Sequence, residues 1–159
     1  EFRRAKPDTV FGPGVKIEGG GVSLSNLLLH NPTLGIVADG RVNCGRVNLE
    51  NIFMVNPAEI GVRFEHGLDV VTFRNVHVCL LKKNATNAAQ TAKLNINGPA
   101  SVLVSGCQFD EKSAGAFLGP EARRVSLTGN LFAASPHPAL TDKTLATCEK
   151  LIANNLGVK

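Results

Sequence analysis

Residues 71–78 read VTFRNVHV. The β-branched and aromatic residues are strand material, but Asn75 in the middle is a poor strand residue and a good turn residue. The phrase recurs as VSLSNLLL at 22–29, VNLENIFM at 47–54, VLVSGCQF at 102–109 and VSLTGNLF at 125–132. Each copy is apolar at its first, third and eighth positions. The fifth position is Asn26, Asn51, Asn75, Gly106 and Gly129 in turn. Asn and Gly enter the left-handed backbone region most readily, so the phrase predicts a strand, a sharp corner at the fifth residue and a second short strand.

Successive corners lie 25, 24, 31 and 23 residues apart. A period in the twenties is the mark of a solenoid, in which one repeat cannot bury its apolar face alone. The leucine-rich pattern L-x-x-L-x-L is absent and no helical period separates the strands. A third strand follows each corner phrase or precedes the next: GVKIEG at 14–19, GIVADG at 35–40, GVRFEHG at 61–67, KLNING at 93–98 and GAFLGP at 115–120. Alternation sends Val15 and Ile17, Ile36 and Ala38, Val62 and Phe64, Leu94 and Ile96, and Ala116 and Leu118 inward. The expectation is an all-β chain, a parallel β-helix of about five to six turns with three short strands in each. Residues 1–159 form a single domain on this reading, and 133–159 form an irregular C-terminal turn or cap. Within that tail, residues 142–157 fit either a further turn, with LIANN echoing LTGN, or a short capping helix begun by Asp142. The polar insertion at 79–91 is expected to project outward.

These corner phrases and third strands resemble the right-handed parallel β-helix of the pectate-lyase-like superfamily, over roughly residues 10–132. That superfamily holds polysaccharide lyases, glycosidases, epimerases and bacteriophage tailspikes. The resemblance implies a hydrogen-bonded ladder of stacked Asn at one corner; Asn26, Asn51 and Asn75 match it, and Gly106 and Gly129 depart from it, so the ladder stops there. It also implies that the third-strand sheet lines a substrate groove.

Equivalent positions in a solenoid stack about 4.8 Å apart. One outward column of the third strands then reads Glu18, Asp39, Glu65, Asn97, Gly119, and its neighbour reads Lys16, Val37, Arg63, Asn95, Phe117. Carboxylates one storey apart repel, so either one keeps a proton and works as a general acid beside a general base, or a hard cation sits between them. Retaining glycosidases hold their carboxyls about 5–5.5 Å apart, near that spacing. The resemblance implies a Ca²⁺ that neutralises a uronate while Arg63 abstracts a proton. The expected catalytic residues are therefore Asp39, Glu65 and Arg63, with Glu18, Asp39 and Glu65 as Ca²⁺ ligands. Lys16, Lys93, Asn95 and Asn97 are the expected substrate-binding residues. The plainer reading is a solvated strand face whose acids pair with Lys16 and Arg63.

The remaining features narrow the classes of function. A net charge of +4 is too small a surplus to argue for nucleic acid. No run of 18 apolar residues spans a membrane. The four cysteines contain no C-x-x-C pair and read as buried free thiols. No G-x-S-x-G, Walker or dinucleotide motif occurs, and the four histidines share no column. There are eight Phe but no Tyr or Trp, the rings sugar clefts commonly use. Two expectations follow. One is an extracellular or virion-associated β-helix that binds, and in its enzymatic form cleaves, an acidic polysaccharide. The other is a non-catalytic shaft or adhesin module, trimeric or joined to flanking segments of a longer chain, since EFRRAKPD is an abrupt start.

Overall fold

The computed structural model describes residues 2–3, 13–19, 21–30, 32, 34–38, 45–55, 60–64, 68–79, 94–96, 101–109, 116–118, 123–132 and 149–156. The insertion at 80–91, the stretch 133–148 and the residues between the other ranges lie outside this set.

The described chain is all-β. Its strands are β1 (Phe2–Arg3), β2 (Pro13–Ile17), β3 (Val22–His30), β4 (Leu34–Ala38), β5 (Gly45–Val55), β6 (Ile60–Phe64), β7 (Leu68–Cys79) and β8 (Leu94–Ile96). They continue as β9 (Ser101–Ser105), β10 (Gln108–Phe109), β11 (Ala116–Leu118), β12 (Arg124–Thr128), β13 (Leu131–Phe132) and β14 (Glu149–Ala153). A nine-stranded sheet runs β1-β3-β5-β7-β9-β12-β14, with β10 on the second half of β7 and β13 on β10. A five-stranded sheet runs β11-β8-β6-β4-β2. Every strand pairing in both sheets is parallel. From β2 to β9 the chain alternates between the sheets strand by strand, β9 and β10 then follow each other in the larger sheet across the Gly106 corner, and β11 and β12 resume the alternation. Two parallel sheets built this way are compatible with a parallel β-helix.

Register follows the repeated phrase. Val22 pairs with Val47, Val47 with Val71, Val71 with Val102, and Val102 with Val125. In the smaller sheet Val15, Ile36, Val62, Leu94 and Ala116 align, as do Ile17, Ala38, Phe64, Ile96 and Leu118. The inward positions fill one core, in which Val47, Leu49, Val71, Phe73, Val102 and Leu127 meet Ile36, Val62 and Phe64. Phe73 and Phe64 carry the contact between the sheets, their ring centroids 6.1 Å apart. Full burial of side chains this size stabilises by about 1.5–3 kcal/mol each.

The corners stand where the phrase puts them. Asn26, Asn51 and Asn75 have φ of 57°, 53° and 49°, and Gly106 and Gly129 have 59° and 63°. Asn75 Nδ2 donates to Asn51 Oδ1 at 2.9 Å, and Asn51 Nδ2 donates to Asn26 Oδ1 at 3.3 Å. Strands β3, β5 and β7 run unbroken through their Asn corners, whereas the Gly corners split β9 from β10 and β12 from β13. Of the two alternatives for the tail, residues 149–156 take the strand. β14 pairs with β12, Asn154 forms another left-handed corner at φ 55°, and Leu156 bridges to Leu131.

A second stack sets how closely the strands of the smaller sheet approach. Gly14, Gly35 and Gly61 fall at one register position. A Cβ on Gly35 would lie 2.1 Å from the Gly61 carbonyl oxygen and 2.2 Å from Met54 Sδ, so only glycine fits beneath Met54.

Candidate functional site

The outward column of the smaller sheet is in the expected register: Lys16, Val37, Arg63, Asn95 and Phe117 pair in series. Its character differs from an open charged face. Val37 is only 5% exposed, and Arg63 is half-buried. Lys16 Nζ forms an ion pair with Glu18 Oε1 two residues along the same strand face. Both side chains are well exposed, and exposed pairs of this kind contribute little to stability.

The acidic column is represented by Glu18 alone. Asp39, Glu65, Asn97 and Lys93 lie outside the described residues, and of Asn95 only the backbone is described. Glu18 is the one expected Ca²⁺ ligand among the described residues, and the Lys16 ammonium balances its charge. Among the described residues no group of three or more His, Cys, Asp or Glu is placed to hold a metal ion.

A different face carries a polar groove. In β3, β5 and β7 the second and fourth positions of the phrase point away from the core. They give one column of Ser23, Asn48 and Thr72 and another of Ser25, Glu50 and Arg74. These six side chains, over a floor of Leu24 and Leu49, line a groove of about 300 Å³. Asn48 Nδ2 donates to Ser23 Oγ at 3.2 Å. Glu50 and Arg74 are register partners and exposed, yet neither forms an ion pair with a described residue. A ligand therefore meets a carboxylate, a guanidinium and hydroxyl groups without first breaking a salt bridge. Further along the same face a second groove of about 520 Å³ lies over Leu103, Ser126 and Leu151. Arg124 Nε and Glu149 Oε2 close its side with a 2.9 Å ion pair. The sequence signal for this face is the polar residues at alternate positions of VSLSN, VNLEN and VTFRN, less conspicuous than the acidic column of the third strands.

On the outer side of the post-corner strands Phe53 and His77 are register partners, with ring centroids 4.8 Å apart. His66 and His137 lie outside the described residues.

Inside the corner the polar groups are structural. Asn130 is 2% exposed, the one buried polar residue among those described. Its Oδ1 accepts from the Cys107 N–H, and its Nδ2 donates to the Val104 carbonyl and to Asn155 Oδ1. Cys79 and Cys107 are buried free thiols, as expected, while Cys44 and Cys148 lie outside the described residues. Burial pushes the Cys107 thiol up to about 11, although the N–H groups of Val76 and Asn75 hydrogen-bond to it and work in the opposite direction. Such a thiol is inert, because the thiolate is the nucleophile.

Compared with protein-family models, curated proteins and solved structures, the chain matches none.

Proposed function

We propose that the chain is a right-handed parallel β-helix of the pectate-lyase-like kind, with about five to six turns of three strands, and that it binds an acidic polysaccharide. The observation that carries this reading is the groove on β3, β5 and β7, where Glu50 and Arg74 stand uncommitted beside Ser23, Asn48 and Thr72. Polar side chains repeating every 4.8 Å or so offer one set of hydrogen-bonding groups per storey, which suits a ligand that itself repeats. Arg74 is the group for a uronate carboxylate, since a guanidinium binds carboxylates with paired donors. A glycan-directed protein of this kind works outside the cell or on a virion. Cleavage, where it accompanies binding, falls to Asp39, Glu65 and Arg63 of the third strands, with Lys16, Lys93, Asn95 and Asn97 along the same sheet.

The test is affinity electrophoresis through gels containing a panel of acidic polysaccharides, with and without Ca²⁺. Absorbance of unsaturated product and reducing ends are followed in parallel. Binding to at least one polymer is expected. Arg74→Ala should weaken it about ten-fold, the loss of one charge-assisted hydrogen bond. Loss of product on Glu65→Gln would assign cleavage to the third-strand sheet. Absence of both retention and product with every polymer would overturn the reading.

The second reading, a non-catalytic shaft module, is favoured by the exposure of Leu151, Ile152 and Leu156, apolar side chains on and beside β14.

A further inference from the structure

The exposed large apolar side chains are Phe53, Leu103, Leu151, Ile152 and Leu156 among the described residues, so most of them sit in one short stretch at the margin of the larger sheet. Ile152 is the informative one. It aligns with Leu127, and through it with Val104, Phe73, Leu49 and Leu24, the column that fills the core. Leu127, Val104, Phe73 and Leu49 are at most 1% exposed, whereas Ile152 is 39% exposed. Among the described residues no strand lies beyond β14 to cover this core position. The opposite margin has the matching defect, with Val22, Leu24 and Leu27 only partly buried against the core.

We propose that a second copy of this chain fills the gap, so that the free edge of β14 in one copy pairs in parallel with the free edge of β3 in the next. The register makes the joint specific. β1 pairs with β3 only at Leu29 and His30, which leaves the edge of residues 22–28 without a strand partner among the described residues. By the alignment running through the sheet, residues 150–156 occupy the same columns as residues 22–28. In this register Leu156, the last described residue of the incoming segment, stands over Leu28, next to the rows of Leu29 and His30 that β1 occupies. Ile152 meets Leu24, Leu156 meets Leu28, and Asn154 faces Asn26. That last meeting extends the corner ladder, whose sense is already fixed: each Asn amide donates to the Asn of the preceding repeat.

The contact joins two different surfaces, so it repeats and builds open rods rather than closing as a dimer. One residue limits it. Lys150 holds the register position of Val22, Val47, Val71, Val102 and Val125, and a lysine at an edge strand opposes edge-to-edge pairing. The joint is therefore weak and concentration-dependent.

Sedimentation velocity and light scattering of the 159-residue chain across a wide concentration range test this. The wild type should grow past a dimer. Ile152→Glu should stay monomeric while keeping the wild-type circular dichroism. Lys150→Val should assemble at concentrations at least ten-fold lower. Ile152→Glu mixed into wild type should shorten the rods, because its intact β3 edge still docks but its β14 edge ends growth. A monomer at every concentration would overturn the inference, as would a species that stops at two copies and ignores Lys150→Val. None of these outcomes depends on polysaccharide binding, so this inference and the proposed function fail separately.

Discussion

Asn130 Oδ1 accepts a 2.9 Å hydrogen bond from the N–H of Cys107, which occupies the same place one repeat earlier. Asn155 does the same for Asn130: its Oδ1 accepts from the Asn130 N–H at 2.9 Å, and its Nδ2 donates to the Leu127 carbonyl at 2.7 Å. A ladder inside the corner thus takes over where the outer ladder of Asn26, Asn51 and Asn75 ends. The exchange has a physical cause. A Gly corner has no side chain to bridge repeats, and the bend breaks the strand, so the N–H of the next residue loses its partner in the sheet. The residue after the corner, one repeat on, supplies the acceptor: Asn130 after Gly129, and Asn155 after Asn154.

Replacing Asn130 with Leu removes both partners at once. The Cys107 N–H and the Val104 carbonyl would be buried without hydrogen bonds, each at a cost of about 1–3 kcal/mol. Urea denaturation should show a drop of about 2–6 kcal/mol. A loss below the lower figure would mean that water or backbone movement satisfies both groups.

Cys107 stands at the head of the inner ladder with a sulfur, which accepts from the Val76 N–H at 3.4 Å. Cys107→Asn places a stronger acceptor there and a donor facing the Phe73 carbonyl, the register equivalent of Val104. The variant should unfold at or above the wild-type urea midpoint. A fall would show that the site is packed around sulfur and cannot admit the amide.

The outer ladder yields to a pair of substitutions at Asn51. Asn51→Gly keeps the left-handed φ of 53° but removes both amide bonds, a loss of about 1 kcal/mol after the backbone entropy of glycine is included. Asn51→Ala adds the strain of a Cβ in that region, about 1–2 kcal/mol more. Thermal melts should rank wild type above Gly and Gly above Ala. Equal losses would assign the role of Asn51 to the bonds alone.

The repeated phrase made the corners legible because Asn and Gly share one rare ability, the left-handed φ, and leave that mark at a fixed place. Alternation made the core columns legible for the same kind of reason: Val62 and Phe64 have to face one way if Arg63 faces the other. The inner ladder was not legible, since Cys107 and Asn130 share no property until the bend orphans an N–H beneath each. Val37 was misleading too. Alternation puts it on the outer face, but burial is set by what lies over a face, which spacing along the chain does not encode. The groove on β3, β5 and β7 is visible in the sequence as polar residues, yet which polar face matters depends on which charges are left unpaired, and that is a property of three dimensions.

Gly35 offers a steric test of the smaller sheet. Its added Cβ would meet a backbone oxygen of Gly61 and the sulfur of Met54, and the backbone cannot give way without parting β4 from β6. Gly35→Ala should cost about 3 kcal/mol or more, the upper range for overpacking. Met54→Ala combined with Gly35→Ala should recover little, because the closest clash is with the carbonyl and not with the side chain. Full recovery in the double variant would show that Met54 alone sets the fit.

The Cys107 thiol makes stability depend on pH in the alkaline range. Its value rises from an ordinary 9.0 to about 11 because burial disfavours the thiolate. Between these limits the native state holds a proton that the unfolded chain gives up. Stability rises with pH only where the unfolded state binds more protons, and here the native state binds more, so the sign is reversed. The contribution is fully present below pH 9 and is lost as pH climbs toward about 11, with a ceiling of about 3 kcal/mol for a shift of that size. Urea midpoints measured across that window should fall more steeply for wild type than for Cys107→Ala. Removing the sulfur also costs its bond from the Val76 N–H, but that loss shifts the variant's curve down by the same amount at every pH and leaves its slope untouched. Parallel curves would show that the thiol ionises in the folded protein as freely as in water.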